Sequence, residues 1–381
     1  MAQVRYVNYR SFAAGFRTGV VKESLAAEQG LNWPFMSRMV EEIRQQPEAL
    51  ERTLSHQTRA IGKFRRFLEE RRPRLVVIVA RGTSDNAAQF GRYLIEIMTG
   101  IPVSLAAPSV HSIYGATLDY RDALIVGISQ SGESTDISAV MEQARRSGAM
   151  TVGITNEPES TLASMADYVF QVRAGREKSV AATKTYTGQL LSLYLLAHAL
   201  GAKIQLGDLE AIPESVASAL KLEAEIAELA GNYSLMRSAA VVARGLNYAN
   251  AFEFALKMME TSYVVAERFS AADFLHGPIA MVDHNLPIFL FGPSGPTWAS
   301  LHETLEKIRA MKAKTVIITD KSNREAAPFA SSVIRVPEKL RELYTPIPYI
   351  VPAQLFAAAL AHAKGLDADQ PRGLRKVTTN L

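Results

Sequence analysis

Ala123-Leu124-Ile125-Val126-Gly127-Ile128-Ser129-Gln130-Ser131-Gly132-Glu133-Ser134 is the stretch on which the reading of this chain turns. Its first six residues are an unbroken apolar run, as in a strand buried on both faces of a parallel sheet. The segment after it, Asp136 to Ala144, has helical periodicity. Between them, hydroxyls and backbone N–H groups crowd into the turn from strand end to helix start. Free amides and the dipole at a helix N-terminus favour an anion, and a phosphate suits them. No Lys or Arg lies inside Ser129–Ser134, so dipoles and hydroxyls would hold most of the charge, as befits a ligand that must leave again. The same six residues also read as an ordinary capped helix behind a serine-rich turn.

Working outward, Arg74–Ala80, Pro102–Leu105, Met150–Thr155 and Tyr168–Val172 read as further strands, alternating with helical segments in the rhythm of right-handed βαβ units. Before them, Met36, Met39, Val40 and Ile43 open a helix, and Pro47 opens the next. After Gly201 the pattern repeats. Val241-Val242-Ala243-Arg244-Gly245 echoes Ile78-Val79-Ala80-Arg81-Gly82, and Pro287–Gly292, Lys314–Thr319 and Ser332–Val336 supply more strands. The expected fold class is α/β: two tandem three-layer αβα domains with parallel sheets of flavodoxin- or Rossmann-like topology. The expected organisation is an extension over 1–34, a first domain over 35–205, a second over 206–365 and a C-terminal tail over 366–381.

Composition narrows the chemistry. The 381 residues are 48% hydrophobic, enough for two cores, and 42 basic against 38 acidic residues leave a formal charge of +4. The short basic patches at Lys63–Arg66 and Arg71–Arg74 read as a solvated helix face and its end rather than a nucleic-acid surface. There is no cysteine, which removes disulfides, thiolate metal sites and a cysteine nucleophile together. The seven histidines show no ligand spacing, so no metal is expected. The start lacks a signal-peptide pattern, and the longest strongly apolar stretch identified, Leu190–Ala202, is too short for a bilayer; a soluble cytoplasmic protein without membrane contact is expected.

Four polar features stand out. Glu177–Thr185 follows a strand and precedes an apolar helix. Glu253, Lys257 and Glu260 are spaced by four and three, on one face of a helix rich in Phe, Leu and Met. Such a face is either a solvated ladder of ion pairs or a carboxylate whose pKa burial lifts toward that of a general base. His276 precedes Gly277-Pro278, a turn that presents the imidazole outside regular structure. The tail carries Lys376.

Ser-Gln-Ser-Gly-Glu, Val-Ala-x-Thr-Lys, His-Gly-Pro and Asp-Gln-Pro-Arg-x-Leu, in that order from Met36 onward, resemble the double sugar-isomerase (SIS) domain family, which includes the isomerase half of glutamine:fructose-6-phosphate amidotransferase. The resemblance implies a phosphate site at Ser129, Gln130, Ser131 and Ser134, joined by Thr83 and Ser84. It implies sugar contacts at Val180 and Ala182, Glu260 as the proton-transfer base, and Lys257 as an active-site lysine. It makes His276 the ring-opening residue, Lys376 the lysine of the C-terminal loop, and the protein a homodimer in which His276 crosses to the neighbouring site. This sequence departs from the family at Arg81, where a Cys stands, at Ser134 for Thr and at Ala182 for Ser.

Without a cysteine no glutamyl thioester can form, which excludes glutamine-driven synthesis by this chain. Arg81-Gly82-Thr83-Ser84-Asp85, Ala106–Val110 and Phe274–Pro278 are similar to the stand-alone glucosamine-6-phosphate deaminases of the second type. The expected activity is therefore an isomerising deaminase of an amino-sugar 6-phosphate, without cofactor. The alternatives are a fructosyl-amine 6-phosphate deglycase or other phosphosugar isomerase, and a non-catalytic phosphosugar sensor. Glu260, His276 and Lys376 argue for an enzyme, as does the lack of a helix-turn-helix candidate near the start.

Overall fold

Ten strands pair into two wholly parallel sheets of five in the computed structural model, which describes residues 37–376. The extension over 1–34 and residues 377–381 of the expected tail lie outside the described residues.

Ser37 caps helix α1 (Arg38–Arg44) by accepting from Val40 N. Pro47 sits in the first turn of α2 (Gln46–Glu70), where its missing N–H costs nothing. The first sheet follows, with β1 (Leu75–Val79), α3 (Thr83–Thr99), β2 (Val103–Leu105), β3 (Ala123–Ser129), α4 (Thr135–Arg146), β4 (Met150–Thr155) and β5 (Tyr168–Gln171). Helix α5 (Lys184–Ala199) closes this half. The second half runs β6 (Ser238–Ala243), α6 (Tyr248–Ser262), β7 (Val265–Ser270), α7 (Ala271–Leu275), β8 (Ile288–Phe291), β9 (Thr315–Asp320), β10 (Ser332–Val336) and α8 (Pro346–Ala363).

The strand orders are β2-β1-β3-β4-β5 and β7-β6-β8-β9-β10. Each half thus runs second, first, third, fourth, fifth, the flavodoxin-like order that opens a crevice at the C-terminal ends of its central strands. The duplicated Arg-Gly pair falls at equivalent places after β1 and β6, and both glycines take a left-handed backbone, φ 56° at Gly82 and 60° at Gly245.

Two expectations need correction. β7 was not among the expected strands: it is an edge strand paired only to β6, and Glu267 and Arg268 interrupt its apolar pattern. The longest apolar run is α8, not Leu190–Ala202. α8 is long and apolar enough to cross a membrane by composition, yet 89% of it is buried inside the fold, as in a core helix.

The site depends on how the halves meet. α5 is buried on nearly every side and packs on α2 and α3. α6 packs on α8 and also on α3 of the first half, bringing the two halves' first crossover helices together beside the end of β3.

Candidate active site

Strand β3 ends in the expected turn, and the turn is held rigidly. Ser129 Oγ accepts from Gly132 N at 3.0 Å, and Ser131 Oγ from Glu133 N at 3.3 Å. Gly132 has φ 69°, and a Cβ there would lie 2.1 Å from Ser160 Oγ, so only glycine fits. Glu133 accepts from Thr161 N and Oγ1 at 3.0 and 2.6 Å; these bonds hold its carboxyl below the ordinary value. Ser134 occupies the N-cap of α4 but makes no side-chain cap bond. The ordinary capped-helix reading therefore does not describe this turn.

A cavity of about 390 Å³ opens beside the turn. Thr83, Ser84, Ser129, Gln130, Ser131, Ser134, Val180, Ala182, Glu260 and Lys376 all line it, so ten of the sequence-predicted site residues meet in one space. Thr83 and Ser84, the first residues of α3, and Ser134, the N-cap of α4, line it, which brings two helix N-termini to one cavity. Gln189, also in its wall, donates to Ser84 Oγ at 3.0 Å, while its buried Oε1 has no partner among the described residues.

Lys257 stands behind this wall. Its Nζ lies 2.6 Å from Glu260 Oε2, 3.3 Å from Glu253 Oε1 and 3.1 Å from Thr83 Oγ1, and its side chain is wholly buried. Glu253 is equally buried and accepts from Asn86 Nδ2 at 2.7 Å. Burial lifts the Glu253 carboxyl to about 7, against the pull of Lys257 and Asn86. Burial alone would lower the Lys257 pKa, but the two carboxylates outweigh it and hold the ammonium well above its ordinary value. The solvated ladder is thus ruled out, and the raised carboxyl is that of Glu253.

Lys376 arrives from the tail. Asp369 caps α1, accepting from Arg38 N and Met39 N at 2.7 and 3.0 Å, and Arg372 stacks on Tyr263 at 4.0 Å. Lys376 Nζ then reaches Glu177 Oε2 at 2.9 Å. Glu177 is buried, which would raise its pKa; Lys376 and the bonds from Thr183 N and Thr185 Oγ1 overcome this and hold it below the ordinary value. Sequence reasoning assigned Glu177 no role, since the contact spans 199 residues.

His276 is not brought to the cavity. It ends α7 on an exposed turn, and its side chain makes no hydrogen bond among the described residues.

Residues 71–199 and 233–363 each match the family model described as SIS domain. The chain is 34% identical to the glutamine–fructose-6-phosphate aminotransferase [isomerizing] of Aquifex aeolicus, over 93% of this chain and 59% of that protein. It thus spans about three fifths of that relative's length. Among solved structures, the C-terminal domain of glucosamine-fructose-6-phosphate aminotransferase from Francisella tularensis superposes with a TM-score of 0.80 at 30% identity, covering 88% of this chain and 99% of that one. Glucosamine-6-phosphate deaminase from Thermotoga maritima shares the fold, with a TM-score of 0.71 at 21% identity over 90% and 100% of the two chains.

Proposed function

The chain belongs to the SIS domain family, and from that premise we propose that it is a phosphosugar aldose–ketose isomerase acting as a deaminase: glucosamine 6-phosphate and water to fructose 6-phosphate and ammonia. The observation that carries the proposal is that Glu260 and the Ser129–Ser134 turn wall the same cavity, a carboxylate beside a turn of hydroxyls and helix-end amides.

The phosphate anchors in the cradle and fixes the far end of the sugar, so that C1 and C2 lie beside Glu260. After ring opening, Glu260 takes the C2 proton to give an enolamine and returns it at C1. The resulting C2 ketimine adds water and expels ammonia, leaving the ketose. Lys257 bonds only Oε2 of Glu260 and leaves Oε1 to meet the substrate. Lys376 faces the cavity whereas Lys257 is sealed behind it, so Lys376 is the cation available to the hydrolytic step. The family resemblance gives ring opening to His276 of the partner subunit in a homodimer, and His276 does not line its own chain's cavity.

Incubation of the protein with fructose 6-phosphate and ammonium in deuterated water tests the isomerase half of this cycle in reverse. Deuterium entering C1, absent in Glu260→Gln, is the expected result, and no exchange would refute the base assignment.

A fructosyl-amine 6-phosphate deglycase is the second reading. A neighbouring cavity of about 450 Å³ shares Gln130, Ser131, Glu133 and Lys376 with the first and offers space beyond the sugar. Release of an organic amine instead of ammonia separates the two.

A further inference from the structure

Arg81 is a charge that the cradle chemistry leaves unused. It follows β1 and reaches across to the first turn of α4, where Nε and Nη2 both donate to Asp136 Oδ2, at 3.0 and 2.6 Å. Both bonds fall on one carboxylate oxygen, and Nη1 makes no hydrogen bond among the described residues. The Arg81 side chain is 46% exposed, and it lines the same cavity as Ser129, Ser131 and Ser134. An ion pair this open adds little to stability, so holding β1 to α4 is a weak reason for it.

Asp136 occupies the second position of α4. A carboxylate there suits the helix dipole, but it competes for the positive end that a phosphate needs. Left unpaired, it would repel an incoming dianion. Arg81 cancels that charge, and its bonds draw the Asp136 carboxyl below its ordinary value.

We propose that Arg81 is a phosphate-affinity residue held in reserve by Asp136. The guanidinium rests on the Asp136 carboxylate. When a phosphate monoester enters the cradle, the unused Nη1 edge donates to it while the other edge keeps Asp136 neutralised. A planar guanidinium can serve two anions in this way, whereas an apolar residue or a thiol could not. The ligand class is a phosphate monoester dianion, and the inference rests on the reading that the cradle holds the substrate's phosphate.

The test is calorimetric titration of fructose 6-phosphate, with inorganic phosphate as competitor, into the wild type, Arg81→Met, Asp136→Asn and the double variant, each first checked for an unchanged melting temperature. Arg81→Met should weaken binding by about tenfold or more, because it removes a charge-assisted bond and bares Asp136. Asp136→Asn should tighten binding several-fold, because it frees Arg81 and removes a competing negative charge, and the double variant should lie between. Equal weakening by both single variants would identify a purely structural link and overturn the inference. So would unchanged affinity in both beside a wild type that binds. A wild type that binds neither phosphate compound would instead overturn the cradle reading itself.

Discussion

Lys257 Nζ lies 2.6 Å from Glu260 Oε2 with no part of the lysine side chain exposed to solvent. The same ammonium serves Glu253, so one buried cation stands between two carboxylates. Glu260 can lean on it from the cavity side, while Glu253 bears the cost of burial.

The cost to Glu253 makes stability depend on pH. Its carboxyl rises from 4.5 to about 7 in the folded protein, so the proton is bound more tightly there than in the unfolded chain. The stabilisation is fully present below pH 4.5 and is lost as pH rises through about 7. The full effect is of the order of 3 kcal/mol. Denaturant titrations at pH 5 and pH 8 should show the wild type losing stability relative to Glu253→Gln, which keeps the shape without the titration. Parallel pH profiles would contradict the assignment.

Lys257→Met should be far more damaging than the loss of a surface ion pair. It leaves two carboxylates without their shared cation, a loss of about 3 to 5 kcal/mol. The midpoint of urea unfolding at pH 8 reads this directly. Adding Glu253→Gln to Lys257→Met should recover part of the loss, since it removes the more deeply buried charge.

Gly132→Ala tests the rigidity of the cradle. The new Cβ would meet Ser160 Oγ at 2.1 Å and sit on a left-handed backbone, so the turn must move. Affinity for fructose 6-phosphate should fall by about tenfold or more, while the melting temperature drops only a few degrees. Ser160→Gly should not rescue it fully, because the backbone strain at φ 69° remains.

The exposed place of His276 can be tested by mixing subunits. Glu260→Gln and His276→Ala should each be inactive alone. Co-refolded in equal amounts, they should recover about a quarter of wild-type activity, because in the proposed homodimer half of the dimers are mixed and one of their two sites is intact. No recovery would place ring opening within one chain or on another residue.

How much of this was legible in the sequence follows from where the physics is local. Nine strands could be read because each carries a run of apolar or β-branched residues at its centre or ends, and β3, β4 and β9 are buried at every residue. β7 was hidden because an edge strand tolerates the charges of Glu267 and Arg268. α8 was passed over because its prolines, Pro346, Pro348 and Pro352, break the look of a helix that the core nonetheless encloses.

At the site, the cradle and Glu260 lie in motifs that announce themselves. The partners that position them do not, since Glu177 and Lys376 are 199 residues apart, and Arg81 and Asp136 belong to different elements. Thr83 meets Lys257 only because α3 packs on α6 across the two halves. Spacing within one segment reveals a helical face, but only the packed fold reveals what that face is pressed against.

The measurement that bears most directly on the proposed deamination is ammonia release by the purified protein from glucosamine 6-phosphate, with ketose phosphate assayed in parallel and Glu260→Gln as control. The two products should appear in equal amounts, with the variant slowed by about 10² to 10⁴. A wild type that binds the sugar phosphate yet releases no ammonia, or a Glu260→Gln variant that releases it at the wild-type rate, would contradict the account.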